Sequence, residues 1–93
     1  MKVLKESEAK AQLKNLDGWK IRGKTLSKEY GFEEFNDGLA FVVKIAKVAE
    51  RQDHHPDVLL SYGKVVLNVT THSAGELTDK DFRLAAAIDN VSR

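Results

Sequence analysis

The dipeptide Gly-Lys occurs twice in this chain, at Gly23-Lys24 and Gly63-Lys64, each time between short runs rich in alternating apolar residues. A two-residue Gly-X loop is a preferred β-hairpin connection, so the sequence predicts two hairpins: Trp19 to Arg22 with Thr25 to Tyr30, and Val58 to Tyr62 with Val65 to Thr71. A segment with helical spacing precedes each. Ser7 to Leu16 place Ala9, Leu13 and Leu16 on one stripe, with Ser7 as expected N-cap and Gly18 as terminator. From Glu33 to Asp53, the residues Phe35, Leu39, Val42, Ile45, Ala46 and Ala49 form a longer stripe that stops before Pro56. A last helix opens at Leu77-Thr78-Asp79-Lys80-Asp81, with Thr78 as N-cap, Asp81 in the capping-box position, and Phe82, Ala85 and Ile88 at helical spacing. The expected order is α-β-β-α-β-β-α. This is an α+β fold, a four-stranded antiparallel sheet with three helices on one face, in a single domain over residues 1–93.

Composition removes several function classes. Fifteen Lys and Arg against 14 Asp and Glu leave a formal charge of +1, with no basic stripe to neutralise phosphates, so nucleic acid is not the expected partner. Cysteine is absent, which excludes thiol nucleophiles, disulfides, Cys-ligated zinc and iron–sulfur clusters. No window approaches the roughly 20 apolar residues of a membrane span, and the first residues lack a signal-peptide core. No membrane partner is expected, and the expected location is cytoplasmic.

All three histidines, His54, His55 and His72, fall within one short stretch. With Gly63-Lys64 as the turn, Tyr62 faces Val65, Leu60 faces Leu67, Val58 faces Val69 and His55 faces His72. Directly opposed residues have Cβ atoms about 4.5–5.5 Å apart, so both imidazoles would address one small ligand. The same register puts Tyr62, Leu60, Val58, Val65, Leu67 and Val69 on the helix side and the histidines on the other. Glu50 stands four residues before His54 and Asp53 is adjacent to it, so both are candidates to orient His54. Imidazole, with an ordinary pKa of about 6.5, can give or take a proton under mild conditions, as general acid/base catalysis requires. A His-His-Pro after a helix can also serve only to cap the last carbonyls and turn the chain. Three histidines with a carboxylate also admit zinc, but adjacent histidines seldom turn both rings to one metal, and His-x-His and His-x₃-His spacings are missing. No metal is assigned.

The string Glu50-x₃-His54-His55-Pro56, then Tyr62, His72 and Asp81, resembles the signature of the pterin-4a-carbinolamine dehydratases. Gly18-Trp19, Phe32, Phe35, Thr71-His72, Leu77-Thr78 and Leu84-Ala85 to Ile88-Asp89 extend the resemblance over nearly the whole chain. It implies removal of water from a 4a-hydroxytetrahydropterin such as 4a-hydroxytetrahydrobiopterin, giving the quinonoid dihydropterin in tetrahydrobiopterin recycling, with no metal and no redox cofactor. By this resemblance His54 and His72 are the acid/base pair on opposite faces of the pterin, and His55 chiefly binds it. Glu50 and Asp53 orient His54, and Asp81 fixes the loop beside His72. Two positions depart from the pattern: Val58 replaces a tryptophan of some members, and Glu76 stands where the family has the glycine of Gly-Leu-Thr. Some animal members bind a homeodomain transcription factor, so a non-catalytic binding or assembly module is the competing expectation.

An open four-stranded sheet has two edges and a short chain has little to cover them. The last helix, with Phe82, Leu84, Ala85, Ala86, Ala87, Ile88 and Val91, is apolar around more than one face. The expected assembly is therefore a homodimer or homotetramer, built across a two-fold through that helix or a sheet edge.

Overall fold

A computed structural model describes residues 1–93 as α1 (Glu6–Leu13), β1 (Lys20–Arg22), β2 (Thr25–Gly31), α2 (Phe35–Gln52), β3 (Asp57–Ser61), β4 (Lys64–Val69) and α3 (Asp79–Asp89). The strands form one antiparallel sheet in the order β1-β2-β4-β3. Leu26, Tyr30, Val65, Leu67 and Val69 point from its central strands into a core shared with Phe41 and Ile45 of α2 and Phe82, Leu84, Ala85 and Ile88 of α3. The expected fold class is the observed one.

The first hairpin forms as its Gly-Lys loop dictates. Arg22 pairs with Thr25, and Gly23 supplies the positive φ, +61°, that the first loop position of this turn class needs. The second hairpin departs from the expectation. Ser61 pairs with Lys64, so the loop is Tyr62-Gly63, and Leu60 faces Val65 while Val58 faces Leu67. The cause is the ladder on the other side of β4: Lys64 already pairs with Gly31, and the Gly63 carbonyl accepts the Phe32 N–H at 2.9 Å. Six cross-strand pairs between β2 and β4 outweigh a local turn preference. Because the slip is two residues, each strand residue keeps its face. Tyr62, however, is an exposed loop residue and does not join the core, and Val58 on the edge strand is 40% exposed.

The first helix begins two residues earlier than expected, with Lys5 rather than Ser7 at its N-cap, where the Lys5 N–H donates to the Glu8 carboxylate at 3.0 Å. The segment before it is tied to the start of α3, with Leu4 N–H to Leu77 O and Asp79 N–H to Lys2 O, both at 2.9 Å. In α2 the buried stripe is Gly38, Phe41, Ile45 and Ala49, whereas Phe35, Leu39 and Ala46 face outward. Gly38 decides this: a Cβ there would lie 3.1 Å from Leu60 Cδ1 and 3.4 Å from Val65 Cγ2. A side chain there would push Leu60 aside by a few tenths of an ångström, so glycine lets the helix settle close to the hairpin. Phe41 then reaches Tyr30, with ring centroids 4.6 Å apart.

At its far end α3 is fastened by Asp89, which accepts hydrogen bonds from Trp19 Nε1 at 2.8 Å, Lys28 Nζ at 3.0 Å and the Asp17 N–H at 2.9 Å. A carboxylate at a helix C-terminus opposes the dipole; these three donors offset that and lock α3 to the first hairpin. The helix expected to carry surplus apolar surface has little, since Phe82, Leu84, Ala85 and Ile88 are all buried within the chain. Besides Met1 and Val3 ahead of α1, the exposed large apolar residues are instead Phe35, Leu39 and Val43 on α2, and Val58, Leu59 and Tyr62 on the second hairpin.

Candidate active site

The end of α2 delivers two of the histidines. Asp53 caps the helix in the left-handed region at φ 50°, a conformation that aspartate tolerates better than most residues. Its N–H bonds to Glu50 O at 3.3 Å, and the His54 N–H bonds to Ala49 O at 3.2 Å. The helix therefore closes on itself, and the chain leaves abruptly through His54-His55-Pro56 into β3.

His72 arrives from the other side. It was expected on β4, opposite His55, but β4 ends at Val69 and His72 lies in the turn that follows. Thr71 closes that turn by bridging to Glu76, with Gly75 N–H to Thr71 O at 3.0 Å. The two-residue slip of the hairpin removes the direct His55–His72 opposition. A cleft of about 280 Å³ nevertheless gathers all three histidines, together with Asp53, Thr70, Thr71, Ser73 and Lys80. The loop carries its left-handed glycine at Gly75, φ +64°, one place before Glu76. Glu76 turns outward to an ion pair with Lys24 at 3.1 Å, so its carboxylate is partnered away from the histidines.

The carboxylates are distributed differently from the expectation. Glu50 pairs with His55 Nε2, both exposed, and not with His54. The reason is the turn at Asp53, which carries His54 off the helical path on which a residue four places on would meet Glu50. Asp53 makes no side-chain hydrogen bond to His54; it sets that residue through the backbone turn. His54 Nε2 meets Asp81 Oδ1 at 2.6 Å.

Asp81 is wholly buried and sits, as expected, in the capping box of α3, where its Oδ2 accepts the Thr78 N–H at 2.9 Å. It also accepts the Thr71 hydroxyl at 2.8 Å, so it is joined both to His54 and to the residue before His72. Thr71 and Thr78, both buried, are site residues that sequence reasoning passed over. Both stand in the family resemblance, but there without a role: Thr71 reads as a strand residue and Thr78 as a helix cap.

Nowhere do three or more His, Asp or Glu side chains come together with the spacing to hold a metal ion. No helix is long and apolar enough to cross a membrane. The arrangement offers two exposed imidazoles, a third held on a buried carboxylate, and an amine at the rim of one small cleft. That set can bind a flat polar heterocycle and move protons on it.

The family model described as pterin 4 alpha carbinolamine dehydratase matches residues 2–91. A relative from Sulfurisphaera tokodaii, provisionally named pterin-4-alpha-carbinolamine dehydratase, is 38% identical over 91 residues, covering 98% of both chains. One from Trichormus variabilis with the same provisional name is 41% identical over 90 residues, covering 97% of each. Among solved structures, a transcriptional coactivator/pterin dehydratase from Brucella melitensis superposes with a TM-score of 0.85 at 32% identity, over 92% of this chain and 94% of that one. A pterin dehydratase-like RuBisCO assembly factor of the alpha-carboxysome shares the fold, with a TM-score of 0.60 at 22% identity over 82% of this chain and 94% of that one.

Proposed function

The chain belongs to the pterin-4a-carbinolamine dehydratase family, and from that premise we propose that it dehydrates a 4a-hydroxytetrahydropterin to the quinonoid dihydropterin, as a step in tetrahydrobiopterin recycling in the cytoplasm. The observation that carries this reading is the convergence of His54, His55 and His72 on one cleft, with His54 held by a buried carboxylate. In the reaction the C4a–O bond breaks as an acid protonates the departing hydroxyl, and a base takes a proton from the adjacent ring nitrogen; the sum is loss of one water. His54 and His72 enter the cleft from different elements, the end of α2 and the loop after β4, which suits an acid and a base working on different faces of a flat ring. His55, steadied by Glu50, binds the ring. The cleft volume lies near the lower end of ordinary ligand sites, which suits a bicyclic heterocycle. The test is dehydration of synthetic 4a-hydroxytetrahydropterin: formation of quinonoid dihydropterin well above the spontaneous rate supports the proposal, and a rate equal to the spontaneous one removes it.

The assembly is proposed to be a homodimer or homotetramer joined through α2. Phe35, Leu39, Val43 and Ala46 make an outward stripe on that helix. Lys47 and Arg51 near its C-terminus, and Glu33 and Glu34 at its N-terminus, make no ion pair within the chain. An antiparallel second copy covers the stripe and sets these bases against those acids at both ends. The same exposed face also favours the second reading, a non-catalytic binding module. An inactive chain that retains full structure would choose it.

A further inference from the structure

Counting protons fixes the direction of the hydrogen bonds that join Asp81, Thr71 and Thr78. A carboxylate only accepts, so the single hydroxyl proton of Thr71 points at Asp81 Oδ2, 2.8 Å away. Thr71 then has no proton left for Thr78, whose Oγ1 lies 2.8 Å from its own. The Thr78 hydroxyl must therefore donate to Thr71, and Thr78 Oγ1 in turn accepts the Lys80 N–H at 3.2 Å. The chain runs one way: Lys80 N–H to Thr78, Thr78 to Thr71, Thr71 to Asp81. Thr71, Thr78 and Asp81 are all buried, at 4%, 0% and 0% exposure, so solvent does not compete for these contacts.

With Oδ2 occupied by Thr71 and the Thr78 N–H, Asp81 presents Oδ1 to His54; where Asp81 is a carboxylate, the proton of this 2.6 Å contact belongs to Nε2 of the ring. Resting on the dehydratase reading for its catalytic meaning, we propose that Thr71 and Thr78 are positioning residues, whose one-way hydrogen-bond chain fixes Asp81 and thereby holds His54 as the Nε2–H tautomer, presenting Nδ1 to the substrate. Thr71 is also joined covalently to His72 and belongs to the bridge that closes its loop. One hydroxyl thus sets the register between the two proposed proton-transfer groups.

The test uses the full chain with ¹⁵N-labelled histidine, comparing wild type with Thr71→Val, Thr71→Ser and Thr78→Val. Nitrogen NMR should find His54 protonated on Nε2, with that proton slow to exchange. Thr71→Val should speed its exchange and mix the tautomers, and lower kcat roughly tenfold, the scale of one lost buried hydrogen bond, with KM little changed. Thr71→Ser, which keeps the hydroxyl, should restore both, and Thr78→Val should fall between them. If Thr71→Val disrupts folding, the wild-type tautomer and the serine variant still decide the matter. A wild-type His54 protonated on Nδ1, or a valine variant with unaltered tautomer and exchange, overturns the proposal. The NMR readout needs no turnover, so an inactive enzyme with the predicted tautomer would sink the dehydratase reading and leave the positioning chain standing.

Discussion

His54 and Asp81 are 27 residues apart in sequence and meet at 2.6 Å, histidine at the end of α2 and carboxylate in the first turn of α3. One side chain caps a helix, anchors an imidazole and receives a threonine hydroxyl, so the stability of the fold and the geometry of the cleft share a residue. Replacing it tests both.

Asp81→Ala leaves two buried donors, the Thr78 N–H and the Thr71 hydroxyl, and the part-buried His54 Nε2 without their acceptor. Each orphaned buried group costs about 1–3 kcal/mol, so urea denaturation should show a loss of at least about 2 kcal/mol. A variant within about 0.5 kcal/mol of wild type would mean that water or another side chain takes over the three donors.

Alkaline stability follows from a different cluster. Tyr30 is buried with its hydroxyl unpartnered, and burial pushes its pKa above the ordinary 10.0. Burial pulls the neighbouring Lys28 down, but its hydrogen bond to Asp89 and the nearness of Tyr30 outweigh this and leave it above 10.5. For both groups the folded chain holds its proton more tightly than the unfolded chain. Their contribution is therefore full below about pH 10 and is lost as the pH rises further. Tyr30→Phe removes an unsatisfied hydroxyl and one of the two groups. Thermal melts should show it at least as stable as wild type at pH 7, with a shallower fall above pH 10. A phenylalanine variant more than about 1 kcal/mol less stable at pH 7 would show that the hydroxyl has a partner.

Leu39→Glu places a charge in the middle of the outward α2 stripe while leaving the buried stripe untouched. Sedimentation should report an oligomer for wild type and a 10.4 kDa monomer for the variant at micromolar concentration. A monomeric wild type, or a variant with unchanged mass, rules out assembly through this face.

The left-handed turn at Asp53 aims His54, so the backbone, more than the carboxylate, carries the effect. Asp53→Gly should keep the fold and most of the activity. Asp53→Val, a β-branched residue forced to positive φ, should destabilise by about 1–2 kcal/mol and misplace His54. Equal behaviour of the two variants in melting and turnover would contradict this.

The element order and the first hairpin were legible because each rests on local chemistry: helical spacing, the Thr78-Asp81 cap, and a glycine at the loop position that needs positive φ. The second hairpin was misread because its register is set from across β4, through Gly31 and Phe32, which no local pattern announces. On α2 two apolar stripes compete, and only Gly38, read as a point of close approach, would have told the buried one from the outward one. That the histidines share one cleft was legible, since they cluster in sequence and match a family signature. Which carboxylate serves which imidazole was not, because a single left-handed residue redirects His54 from Glu50 toward Asp81.

The most direct test is the rate of quinonoid dihydropterin formation from 4a-hydroxytetrahydropterin by wild type and by the His54→Ala, His72→Ala and double variants. The account predicts a wild-type rate far above the spontaneous one, part of it surviving in each single variant, and a fall of about 10²–10⁴-fold in the double variant. A double variant that turns over at the wild-type rate would contradict the assignment of these two histidines as the acid and base.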